Sequence, residues 1–276
     1  MTNTTTIASL PGRHGTVSDP VFQVQGLSHH YGDAGSAKRI LDGVNFEVRR
    51  GAFVCIVGPS GTGKTTLLRC LAGLQAPSAG KVIFNGQPVT EPPAQLALVF
   101  QDYSRSLMPW LSVLDNVTLP LRSLSLRKRQ RDEQGMRALQ QVGIDNAATM
   151  YPWQLSGGMQ QRVAIARALA YKPAAVLMDE PFASVDAQTR AELEDLMLTL
   201  REQLAISVLL VTHDIDEAVY LSDQVCVLSG SPAKVAAIVD IDLGPQRDQI
   251  TTKATREFAE LRTQVYQMIR RPGAAA

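Results

Sequence analysis

Nine residues, GPSGTGKTT, follow the spacing G-x-x-x-x-G-K-[ST]: Gly58, Pro59, Ser60, Gly61, Thr62, Gly63, Lys64, Thr65 and Thr66. Glycines at these positions let successive backbone N–H groups wrap a phosphate chain, with Lys64 reaching the β and γ phosphates and the Thr65 hydroxyl available to Mg²⁺. The stretch AVLMDE (Ala175 to Glu180) supplies acidic groups after an apolar run. There Asp179 is suited to hold Mg²⁺ directly or through water, and Glu180 to polarise an attacking water. Alone such a pair is as well read as a helix cap; beside a phosphate loop it completes a nucleoside-triphosphate site. About a hundred residues after the loop comes LSGGMQQR (Leu155 to Arg162). Its Ser156, Gly157 and Gly158 open a helix, and a helix start with free N–H groups is a second anion cradle.

The elements around these groups are legible as alternating strands and helices. FVCIV before the phosphate loop, LALVFQ (Leu96 to Gln101), AAVLMDE and SVLLVTH are continuous apolar runs, hence buried central strands. VFQVQGLSHHYG and VNFEVRRG alternate in part and read as antiparallel strands, with GKVIFNG, QVCVLS and KVAAIVDI as further strands. From Asp102 to about Tyr171 the texture is helical; helices are also expected in TTLLRCLAGL, from about Gln188 to Leu204, in DIDEAVYLS, and from Thr255 to Arg270. The pattern predicts an α/β chain with a helical insertion and no internal repeat.

Composition narrows the class. The chain has 276 residues, 45% hydrophobic and 19% charged, with net charge +1, so neither nucleic acid nor an acidic partner is indicated. Cys55, Cys70 and Cys226 are dispersed among apolar neighbours and read as buried thiols. The first twenty residues lack a basic region followed by an apolar one, so they read as a disordered tail, and apolar runs are strand-length rather than membrane-spanning. The basic run RKRQR (Arg127 to Arg131) is followed by Asp132 and Glu133, which favours a solvated helix face. His29 and His30 lack further ligands at metal spacing.

With both cradles present, residues 22 to 245 resemble the nucleotide-binding subunit of an ATP-binding cassette (ABC) transporter; LSGGMQQR is the motif that other phosphate-loop ATPases lack. The resemblance implies a RecA-like ATPase core with an antiparallel β subdomain and a helical subdomain at about 102–171, inside a domain of 21–245 followed by a helical extension, 246–276. It further implies roles for four residues. Tyr31 stacks on adenine; Gln101 ligates Mg²⁺ and reports to the membrane subunit; Asp186 sits in the loop linking two active sites; His213 contacts the γ-phosphate and the catalytic glutamate. It also explains two cradles in one chain: two copies face head to tail, and the Ser156–Gly158 loop of one closes on ATP held by the other's Lys64 loop. The stretch SLMPWLSV borders the groove that receives a membrane permease in this family, so Trp110 is read as a docking residue, with local packing as its alternative.

The stretches MDEPFASVDAQTR, VTHDIDEAVYLSDQVCVLS and MPWLSVLDNV resemble the ATPases of bacterial nitrate, sulfonate and taurine importers. That resemblance implies ATP and Mg²⁺ as cofactors, a homodimer at the cytoplasmic face of the membrane, permease partners, and an extracytoplasmic solute-binding protein. Val185 stands where the family often has leucine. Two rival readings are an ABC ATPase of translation or DNA maintenance and a nucleotide-gated clamp with little turnover. The first calls for a second cassette or a long coiled-coil insertion, for which 276 residues leave no room; Glu180 and His213 argue against the second.

Overall fold

A computed structural model describes residues 19–32, 38–102 and 106–270. Most of the expected N-terminal tail therefore lies outside the described residues. Among the described residues, ten strands form one sheet: β1 (Phe22–Tyr31), β2 (Lys38–Val48), β3 (Phe53–Val57), β4 (Ala79–Phe84), β5 (Gln87–Pro88), β6 (Leu96–Val99), β7 (Ala175–Asp179), β8 (Ser207–Val211), β9 (Gln224–Gly230) and β10 (Ala233–Asp240). Their order across the sheet is β5-β4-β1-β2-β10-β9-β3-β8-β7-β6. The stretch from β9 to β6 is parallel, whereas β5, β4, β1 and β2 pair antiparallel.

The buried runs divide by parity. Along β3, Phe53, Cys55 and Val57 enter one core while Val54 and Ile56 enter the core on the opposite face. Along β8, Val208 and Leu210 take the first face, Leu209 and Val211 the second. A strand covered on both faces has no use for polar alternation, which is why these segments read as unbroken apolar runs. All three cysteines are free and buried.

Helix α1 (Lys64–Leu71) follows β3, and α2 (Val113–Thr118), α3 (Lys128–Gln141) and α4 (Gly157–Leu169) form the helical insertion. Buried Asn116 pins the preceding loop: its amide donates to the carbonyls of Met108, Leu111 and Ser112, and its Oδ1 accepts from the Met108 N–H. Trp110, on that pinned loop, is 71% exposed, so the local-packing alternative does not hold. The basic run caps and opens α3, with Lys128 paired to Asp132 and Arg129 to Glu133, a solvated face as expected. Helix α5 (Ala187–Leu204) leads to β8, α6 (Ile215–Leu221) follows it, and α7 (Arg256–Arg270) closes the described chain. The C-terminal helix does not stand apart: Phe258 and Val265 are buried in the core that also holds α6.

One expected strand is shorter than its apolar run. β6 ends at Val99, and Phe100 and Gln101 are exposed beyond it. Its pairing with the parallel partner β7 stops at Val99 and Met178, one residue before β7 itself ends at Asp179.

Candidate active site

Strands β3, β6, β7 and β8 run parallel, so the segments that follow them emerge at one edge of the sheet. Ligand sites of open α/β sheets lie at that edge, beyond the carboxyl ends of the strands. The phosphate loop follows β3, Gln101 follows β6, Asp179 and Glu180 close β7, and Thr212 and His213 follow β8. Sequence positions spread over 150 residues are thereby brought together.

The loop from Gly58 to Gly63 delivers the chain into α1 with its N-terminus toward the site. Gly63 caps that helix at φ 95°, a left-handed conformation, and a Cβ there would stand 2.6 Å from Cγ2 of Ile40. Both backbone and space therefore require glycine. Lys64 turns back across the loop, its ammonium donating to the carbonyls of Gly58 at 2.8 Å and Pro59 at 3.1 Å. Thr62 also bonds Pro59 O through its hydroxyl. Burial lowers the Lys64 pKa, while the Glu180 and Asp179 carboxylates oppose that shift.

Thr65 Oγ1 donates to Asp179 Oδ1 at 3.4 Å, joining the helix start to the end of β7. Burial raises the Asp179 carboxyl above its ordinary value; the Thr65 bond opposes this, and neighbouring Glu180 adds to it. Glu180 has φ 43°, in the left-handed region that non-glycine residues seldom occupy. Such a backbone costs on the order of 1–3 kcal/mol and clusters at functional positions. Its N–H is held by Val211 O at 2.8 Å. Its Oε2 lies 3.0 Å from His213 Nδ1 and accepts from Gln101 Nε2 at 3.4 Å. Gln101 thus meets the site through Glu180; among the described residues no hydrogen bond ties it to Asp179 or Thr65.

Tyr31, 43% exposed at the end of β1, has its hydroxyl 3.3 Å from Thr66 Oγ1 and donates to Gln75 at 3.1 Å. The ring is anchored at its polar end and offers a face to solvent beside the phosphate loop. His29 packs edge-on against it and bonds Gln75 at 2.7 Å, a buried structural histidine; no group of metal-ligating side chains occurs among the described residues.

Ser156, Gly157 and Gly158 lie elsewhere, at the start of α4 in the helical insertion. Ser156 caps the helix by accepting from Met159 N–H at 3.3 Å. Among the described residues, no hydrogen bond joins this turn to the phosphate loop. Asp186 caps α5, its carboxylate accepting from the Thr189 N–H at 3.0 Å and hydroxyl at 2.7 Å; these bonds hold its pKa below the ordinary value.

Several residues that organise this edge were not singled out by sequence reasoning: Gln75, Thr189, Arg190, Thr212, Asp214 and Glu217. Asp214 carried a signal, since an Asp before a helical run is an N-cap candidate. Its Oδ1 accepts from the N–H groups of Asp216 and Glu217 at 2.9 and 3.1 Å.

A phosphate loop on β3, an acidic pair ending β7 and a histidine after β8 define a phosphate-loop ATPase. Residues 41–183 match the ABC transporter family, and the chain belongs to it. It is 47% identical over 201 residues to the taurine import ATP-binding protein TauB of Chromobacterium violaceum, covering 73% of this chain and 76% of that protein. It is 38% identical over 250 residues to the nitrate transport protein NasD of Klebsiella oxytoca, covering 89% of this chain and 95% of that one. Among solved structures, the dimeric post-hydrolysis state of an ATP-binding cassette bound to ADP and Pi superposes with a TM-score of 0.70 at 30% identity, covering 80% of this chain and 98% of that one. No helix among the described residues is long and apolar enough to cross a membrane.

Proposed function

We propose that this chain is the ATP-hydrolysing subunit of an importer for taurine, another sulfonate, nitrate or a similar small solute, working as a head-to-tail homodimer docked on permease subunits at the cytoplasmic face of the membrane. An extracytoplasmic binding protein selects the solute. The carrying observation is the Glu180–His213 contact, 3.0 Å, set at the sheet edge that also bears Lys64 and Asp179.

In this reading the loop from Gly58 to Thr66 and the Lys64 ammonium bind the triphosphate, and Tyr31 stacks on the adenine. Glu180 takes a proton from water as its oxygen bonds to the γ-phosphorus; the bond to the β–γ bridging oxygen breaks, leaving ADP and inorganic phosphate. His213 orients Glu180 and contacts the γ-phosphate. The Thr65 hydroxyl and Asp179 carboxylate, 3.4 Å apart, are hard oxygen donors of the kind Mg²⁺ prefers, and Gln101 supplies a third. A Mg²⁺ ion held by these residues would supply neutralisation of charge on the β and γ phosphates.

The Ser156–Gly158 turn supports the dimer. Its serine consumes one of the orphan N–H groups of α4, leaving those of the two glycines to an anion from outside the chain. ATP then acts as glue between copies, and hydrolysis removes the contacts that favoured the closed state. Asp186, beside that turn, is placed in the loop that links the two sites.

Glu180→Gln tests the assignment. The phosphate cradles stay intact, so the variant binds ATP and accumulates as an ATP-dependent dimer, while phosphate release falls by about 10²- to 10⁴-fold. Turnover within a few-fold of wild type would move the base elsewhere.

A further inference from the structure

The two residues that flank His213 are tied through one hydroxyl to a carboxyl that has no part in the phosphate chemistry. The hydroxyl of Thr212, the residue before His213, donates to Glu217 Oε2 on α6 at 2.7 Å and accepts from the N–H of Asp214, the residue after it, at 3.0 Å. One hydroxyl therefore joins both neighbours of the histidine, and Glu217 fixes that hydroxyl. Thr212 is fixed from the sheet side as well, its N–H donating to Ile56 O at 3.1 Å. Asp214 Oδ2 meets Arg190 of α5 at 3.3 Å, which ties the loop to the helix that Asp186 caps.

Packing alone gives no reason for a carboxyl here. Glu217 is 5% exposed, on a short helix whose neighbours Ala218, Val219, Tyr220 and Leu221 are wholly buried. Burying an ionisable group costs several kcal/mol unless something is gained by it. Its Oε1 finds no partner among the described residues, nor does the buried Nε of Arg190. Burial pushes the Glu217 carboxyl up to about 8; Glu194 and Asp214 raise it further, while the Thr212 bond and Arg190 oppose the shift. Cys55 of β3 faces it from the sheet.

We propose that Glu217 is a positioning residue for His213, acting through Thr212 and Asp214. The proposal rests on the reading of His213 given above. Because Thr212 is the donor, the tether works with the carboxyl either protonated or ionised. Fixing the peptide units on both sides of His213 fixes the imidazole that meets Glu180 at 3.0 Å. A displacement of about 1 Å in such a constellation costs up to roughly 10²-fold in rate.

The test is a double-mutant cycle on the full-length chain: wild type, Glu217→Ala, His213→Ala and the pair, with kcat, KM and ATP affinity measured for each. Glu217→Ala is expected to lower kcat about 10- to 100-fold, with ATP affinity changed less than twofold. The pair is expected to be no slower than His213→Ala alone. Glu217→Gln, which keeps an acceptor oxygen for Thr212, restores most of the rate, and Thr212→Val reproduces the loss. If Glu217→Ala does not fold, Thr212→Val replaces it in the cycle. Independent, multiplying losses in the pair, or wild-type kcat in Thr212→Val, would overturn the proposal. Wild-type turnover in His213→Ala would instead overturn the catalytic reading on which it rests.

Discussion

Replacing Gly158 by alanine adds one methyl group where α4 meets α5. A Cβ built there stands 2.3 Å from Cγ2 of Thr189, against 3.4–4 Å for ordinary contact. Thr189 is not free to turn away, because its hydroxyl donates to Asp186 Oδ2 at 2.7 Å. Relief requires breaking that bond, worth about 0.5–1.5 kcal/mol, or moving the first turn of α4, an overpacking cost of about 1–3 kcal/mol. Alanine returns about 1 kcal/mol through its better helix propensity. Net of that gain the expected loss is at most about 2 kcal/mol, a fall of up to a few degrees in Tm for a chain of this size. ATPase is expected to fall further, since the displaced turn carries Ser156 and Gly157. Thr189→Ser removes Cγ2 and keeps the hydroxyl, so Gly158→Ala/Thr189→Ser should recover both stability and turnover. Denaturant unfolding and phosphate release on the four proteins provide the assay. Wild-type stability and turnover in Gly158→Ala, or a double variant no better than the single, would refute the steric argument.

Two further outcomes are expected. Trp110→Ala leaves the ATPase of the isolated chain unchanged but lowers transport in vesicles reconstituted with the permease, because a tryptophan at an interface centre contributes about 2 kcal/mol or more; undiminished transport by a folded variant would reject the docking role. Glu217, ordinarily near 4.5 and held at about 8 in the fold, binds its proton more tightly when folded, so its contribution to stability is complete below about 4.5 and is lost as pH rises through about 8. Glu217→Gln does not titrate, so its Tm relative to wild type should rise between about pH 5 and pH 8 and then level; a flat difference across that range would contradict the buried-carboxyl account.

What could be read from sequence was local. The phosphate loop and the Asp179–Glu180 pair were legible because strand, turn and chemistry fall within a few consecutive residues, and the buried strands because a double-faced core leaves no polar alternation. The end of β6 was not, since apolar Phe100 extends the run while the pairing with β7 stops at Val99 and Met178. In DIDEAVYLS the acids read naturally as helix-start charges: Asp214 caps the helix, and Asp216 and Glu217 lie in its first turn. Glu217, however, shares the buried face with Tyr220 and Leu221, three and four residues on, and only the packing of α6 shows it. The stripe Phe258, Leu261, Val265, Met268 marked an amphipathic helix; its seat against α6 depends on long-range contacts that no local pattern encodes. The Gly158–Thr189 contact is of the same kind.

The central claim is that each ATP is enclosed by two chains, and mixing two inactive variants tests it most directly. Lys64→Ala ruins the phosphate loop, and Gly157→Asp puts a carboxylate where a partner's γ-phosphate belongs, so either homodimer has both composite sites damaged. In a mixed dimer one site bears both lesions, while the other joins an intact Lys64 loop to an intact Ser156–Gly158 turn. Phosphate release, followed alongside nucleotide-dependent dimerisation, should then return to at most about a quarter of wild type if half the dimers are mixed and the sites act independently. No recovery, with mixed dimers shown to form, would mean that both cradles serve one chain's own ATP and would contradict the account.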